Sequence, residues 1–278
     1  MSVQDREGRV GPFVTFVERR RPDGALARWE SRDHRKHPQG ARATGSTWWS
    51  PRARGWWIAV LFAAGSLLFA LGAVPGYASA VGTRWDAVTF FIGSLFFTAA
   101  AFLTYREAVD AGPQEPGGAR RRFFVYQPHR IDWWATAVQL AGTLFFNIST
   151  GVAMISDLSA NAAHQHVWRP DAVGSVCFLA ASALAWFEAC HGWAAWRPRS
   201  WAWWITLANL IGSIAFGVSA VAGYINPATG QLHNAERANL GTLVGAVCFL
   251  AGALLLLPER TEQTSPAATA PSIARGAT

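Results

Sequence analysis

The chain has 278 residues, of which 51% are hydrophobic and 15% charged, with a formal net charge of +7 and a pI near 10.1. The apolar residues are gathered into six blocks of roughly twenty, the length that a bilayer core demands, which sets aside a soluble globular enzyme. The basic excess flanks those blocks, so anionic lipid headgroups, and not nucleic acid, are its expected partner.

Residues 1–54 form a basic segment without a short apolar run and cleavage site, so no signal peptide is expected there. Within it, Phe13 to Val17 and Ala25 to Trp29 flank Arg21-Pro22-Asp23-Gly24, which predicts a small β-hairpin. A lone hairpin is marginal in water. It is expected to rest on the membrane surface or on the inner face of a helical bundle, with 31–54 as a looser basic linker.

The blocks run over 56–76, 87–105, 133–155, 172–190, 201–224 and 239–257. They pair into units spanning 55–110, 131–192 and 193–259. Each unit opens on the same phrase, Trp-Trp, seven residues, then Gly-Ser or Gly-Thr: Trp56-Trp57 with Gly65, Trp133-Trp134 with Gly142, and Trp203-Trp204 with Gly212. A Phe follows at 69, 146 and 216, and a second phrase ends each unit, with Gly93, Gly174 and Gly245 preceding Phe97, Phe178 and Phe249 and then Glu107, Glu188 and Glu259. The expected fold is all-α and polytopic, six transmembrane helices arranged as three tandem parallel helical hairpins.

Of the 24 Lys and Arg residues, only Arg84, Arg169 and Arg237 fall on the side opposite the termini, so both termini are expected in the cytoplasm. The compositional bias, with Lys36 the single lysine, is typical of a GC-rich bacterial genome. The cytoplasmic membrane is then the expected location.

The paired tryptophans suit an aromatic girdle at the membrane interface, ligand binding being the alternative. Glu107, Glu188 and Glu259 stand at the wrong end of their helix dipoles, and each is expected to pair with the positive N-terminus and indole N–H groups of a neighbouring helix. A proton-carrying role is the sharper reading. Small residues in register, Thr89, Gly93 and Ala100, then Pro170, Gly174 and Ala181, then Gly241, Gly245 and Gly252, are expected at helix contacts.

On the first helix of each unit one face changes polarity from copy to copy. In the first it reads Ala59, Phe62, Ser66, Ala70 and Ala73; in the second Thr136, Gln139, Thr143, Asn147 and Thr150, continued by Asp157; in the third Thr206, Asn209, Ser213, Gly217 and Ala220. Thr136 to Thr150 spans about 21 Å, most of the hydrocarbon thickness. Such a stripe faces protein or water: either an interhelical hydrogen-bond network, with Gln139 and Asn209 as the obvious pair, or the lining of a polar path.

Residues 111–130 form a basic and aromatic linker in which Arg120 to Tyr126 suits the headgroup level, and 260–278 reads as a disordered tail. His164, His166 and His233 lie on the outer loops; with Asp157 they could hold a metal, though solvated loop histidines explain them as well. Cys177, Cys190 and Cys248 lack metal-ligand spacing. No catalytic constellation and no cofactor site is expected.

Gly-Ser-Leu-Phe-Phe at 93–97 and Gly-Ser-Val-Cys-Phe at 174–178, inside compact two-helix units, resemble the YrhK-like family of bacterial membrane proteins. The resemblance implies a bacterial inner-membrane protein of no assigned activity and carries over no functional residue. The expected role is structural or accessory, through membrane and partner contacts. A passive channel or small-solute permease lined by the stripe is the competing class.

Overall fold

The computed structural model of the chain describes residues 6–20, 26–36, 46–111, 125–155 and 157–261. The Arg21–Gly24 turn, most of the 111–130 linker and nearly all of the 260–278 tail lie outside those residues. The fold is mostly helical. Its elements in chain order are strands β1 (Arg6–Val10), β2 (Phe13–Arg20) and β3 (Leu26–Glu30), then helices α1 (Ser31–Lys36), α2 (Arg54–Gly72), α3 (Tyr77–Val81), α4 (Thr83–Asp110), α5 (Ile131–Ala153), α6 (Ala160–Ala163), α7 (Arg169–Cys190), α8 (Trp201–Ala222) and α9 (Ala235–Thr261).

The N-terminal segment is an antiparallel sheet in the order β1-β2-β3, with a bulge between Gly8 and Arg9. It has one strand more than the hairpin read from the sequence. The ring of Phe16 covers Gly8, where an added Cβ would lie 2.0 Å from it, and reaches the ring of His191 at 4.8 Å, which lays the sheet against the end of α7. Residues 31–36, expected in a loose linker, are instead the helix α1. Six residues cannot hold a helix unaided, so docking stabilises it.

The six long helices close into a ring in which α2 touches α4, α4 touches α5, α5 touches α7, α7 touches α8, α8 touches α9, and α9 returns to α2. Five of these helices, α7 counted together with the α6 turn that leads into it, are long and apolar enough to cross a membrane. The other is α5, 23 residues long, whose Thr, Gln and Asn stripe lowers its hydropathy. Backbone groups in lipid have no water to bond, and a helix satisfies them internally.

Within each copy the paired helices meet backbone to backbone at the signature glycines. A Cβ on Gly65 would lie 2.9 Å from the Gly93 carbonyl oxygen, one on Gly174 3.1 Å from that of Gly142, and one on Gly212 3.0 Å from that of Gly245. Small residues thus set the interhelical distance, because lipid supplies little hydrophobic drive of its own.

The signature phenylalanines fill the axis. Phe69, Phe146 and Phe216 form one triangle with ring centroids 6.1–6.4 Å apart, and Phe97, Phe178 and Phe249 a second with sides of 5.6–6.2 Å. The triangles contact each other through Phe69–Phe97, Phe146–Phe178 and Phe216–Phe249 at 5.1–5.4 Å, and all six rings are buried. Mostly edge-to-face packing of this kind adds to the burial term.

Candidate functional site

The three helix pairs begin alike. A turn with Pro at its second position precedes α2, α5 and α8, closed by Ala53 N–H to Ser50 O (2.9 Å), Arg130 N–H to Gln127 O (3.1 Å) and Ser200 N–H to Arg197 O (3.0 Å). The first tryptophan of each pair donates its indole N–H eight residues back, Trp56 to Trp48 O, Trp133 to Val125 O and Trp203 to Ala195 O, at 2.7–2.8 Å. The second donates six residues back, Trp57, Trp134 and Trp204 to the carbonyls of Pro51, Pro128 and Pro198. The indoles therefore fasten the incoming chain and are not available to Glu107, Glu188 and Glu259, which corrects the expected pairing. The sequence held a signal for this in Pro51, Pro128 and Pro198, each five residues before the first Trp, and in Trp49, Tyr126 and Trp196 two residues before each Pro. These aromatics stack edgewise on the first Trp at 5.0–5.3 Å.

The three glutamates turn instead to α1. Arg32, Arg35 and Lys36 sit at i, i+3 and i+4 and so share a helix face. Arg32 donates to both oxygens of Glu259 (2.7 and 3.1 Å), Lys36 to Glu107 (3.3 Å) and Arg35 to Glu188 (3.4 Å), and the Ser31 hydroxyl adds a 2.7 Å bond to Glu188. Arg35 also faces Asp132 at 3.4 Å, and Asp132 is held from the other side by Arg130. The side chains of Arg35, Asp132 and Glu188 are at most 5% exposed. Burial works against the charge of Arg35, but Glu188, Asp132, Glu107 and Glu259 together outweigh it and hold the guanidinium above its ordinary value. Charges this deep are tolerated because each meets an opposite one. Sequence reasoning missed both α1 and Asp132, although three cations on one short helix match three signature carboxylates.

Beneath α1 lies a cavity of about 80 Å³ in the half of the bundle nearest the tryptophan turns. Arg32, Arg35 and Lys36 close one end, and Phe249 of the phenylalanine layer stands among its walls. Gln139 and Asn209, expected to bond each other, make no hydrogen bond to any described residue; both line the cavity, with Thr136 and Thr206. The Thr136 and Thr206 hydroxyls donate to Asp132 O and Ala202 O in their own helices.

The rest of the stripe does not continue the lining. Thr143 is fully buried and bonds Leu140 O. Asn147 accepts from Thr98 (3.1 Å) and Thr150 meets Ser94 (3.0 Å), stitching α5 to α4, while Ser213 meets Ser182 (2.8 Å) and the Phe178 carbonyl, stitching α8 to α7. Asp157 is exposed at a left-handed φ of 68° in the far connection. There His164 Nδ1 pairs with Ile225 O at 2.7 Å and its ring stacks on Trp168. Among the described residues no group of three His, Cys, Asp or Glu side chains, His166 and His233 included, is placed to hold a metal.

No family model matches the chain, and neither a curated protein nor a solved structure matches it.

Proposed function

We propose that the chain is a six-span protein of the bacterial cytoplasmic membrane, built as three tandem two-helix units with both termini inside. In this reading it acts as a structural or accessory component and does not conduct solutes. The observation that carries it is the pair of buried phenylalanine triangles, which fill the axis midway between the two ends of the bundle. A polar path along the stripe would have to cross that layer. Its outer half, Asn147 and Thr150, is already committed to α4. α5 is counted as the sixth span because it stands in the ring between α4 and α7, where its polar face is turned to protein.

The end bearing the tryptophan turns carries Arg52, Arg54, Arg130, Arg197, Arg199 and Arg260, which suits a cytoplasmic face against anionic headgroups. Exposed Trp49, Tyr126, Trp193 and Trp196 ring the same level and suit the interface. The YrhK-like affiliation rests on the glycine-serine phrases alone.

The test has two arms. In vesicles reconstituted with the purified protein, swelling in glycerol, urea and potassium acetate gradients is expected to match protein-free vesicles; faster swelling in any of them moves the protein to the channel or permease class. In a background lacking native cysteines, Gln165→Cys is expected to react with an impermeant maleimide from the outside and Thr47→Cys only after lysis. Labelling of both from one side breaks the topology.

A further inference from the structure

The cavity beneath α1 carries two carboxamides that bond no described residue. Gln139 and Asn209 each present a carbonyl and an NH₂, and Thr136 and Thr206, their protons spent on helix carbonyls, present acceptor lone pairs. Both side chains are partly exposed where they line the cavity, so their polar groups are open to a small guest in place of water. The walls between them are apolar, with Ile58, Phe62, Ala135, Ile205, Phe249 and Leu256.

Two departures from the repeat build this chamber together. Where the first copy has Phe62, the second and third have Gln139 and Asn209; where the first two have Ala100 and Ala181, the third has Gly252. A Cβ at position 252 would lie 2.5 Å from Asn209 Oδ1, so the missing side chain is what admits the amide. An amide introduced only to bond a neighbouring helix would not leave itself unpaired opposite a glycine that makes room for it.

Charge decides the class of guest. Around the mouth Arg32, Arg35, Lys36 and Arg130 are matched by Glu259, Glu188, Glu107 and Asp132, leaving no net field for an ion. An ionic guest would lose its hydration without gaining a counter-charge, whereas a neutral one with a donor beside an acceptor would satisfy the amides. A volume of about 80 Å³ fits a molecule of a few heavy atoms. The geometry points to an internal binding site for a small uncharged carboxamide, hydrogen-bonded by Gln139 and Asn209. This site does not require that anything cross the membrane.

The experiment is saturation-transfer NMR on the full-length protein in lipid nanodiscs, with acetamide as the probe and acetate as its charged counterpart. Saturable transfer to acetamide and none to acetate is the expected result. Asn209→Leu should abolish the acetamide signal. Gly252→Ala, which keeps the amide but crowds it, should weaken binding roughly fivefold, the equivalent of one ordinary hydrogen bond. Should Asn209→Leu fail to fold, as judged by its melting curve, Gly252→Ala decides. Equal signals from both probes, binding unchanged in the folded variants, or no acetamide signal at all, as from a cavity that holds only water, overturns the assignment. Vesicle swelling reports separately on conduction.

Discussion

The two ends of the bundle differ in how closely the three helix pairs resemble one another. At the end bearing the tryptophans, the same proline turn, the same pair of indole bonds and the same carboxylate recur in all three copies. At the far end the described connections differ. The first connection is the short helix α3 between Gly76 and Gly82, both at positive φ; the second is α6, capped by Ser159, followed by a π turn over His164–Trp168; the third is a bridge between Ile225 and Leu232. The shared features are those that meet the N-terminal segment and position the axis. The features that differ only have to turn the chain round.

That contrast can be tested by stability measurements in detergent or nanodiscs, taken as midpoints of thermal unfolding. The largest effect is expected from Arg35→Ala, which leaves buried Glu188 with only the Ser31 hydroxyl and Asp132 with Arg130 alone, and should cost about 3 kcal/mol. A value near zero would mean that α1 is not docked as described. Gly212→Ala, whose Cβ meets the Gly245 carbonyl oxygen at 3.0 Å, should cost about 1–3 kcal/mol, because neither backbone can withdraw without parting the helices. Trp133→Phe keeps the aromatic surface and removes one indole bond to Val125 O, an expected loss of about 1 kcal/mol. Smallest is Ser159→Ala in the far connection, which removes the cap on Ala162 N–H and should cost about 0.5–1 kcal/mol. If the far-end change outweighed the tryptophan change, the two ends would not differ as the repeated bonds indicate.

The long helices and the residues at their crossings could be read from the chain because apolar length and recurring glycines are local properties. The bonds of the glutamates could not. Their partners lie between 71 and 227 positions away, and a six-residue helix with no apolar period leaves no mark of its own. The amides show the same limit. Gln139 and Asn209 were recognised as a polar face, but whether they bonded each other depended on Gly252, on another helix altogether. β1 escaped notice because Arg6-Glu7-Gly8-Arg9 carries neither alternation nor branched side chains, and only pairing with β2 makes it a strand.

The bonds between α1 and the three glutamates join early and late parts of the chain in time as well as in space. Arg32 leaves the ribosome before its carboxylate, Glu259, which lies 227 positions later. The N-terminal segment therefore cannot complete these contacts until α9 has been made. Its docking waits on α9, and a product cut short before that helix would leave Arg32 without its carboxylate and the mouth of the cavity open.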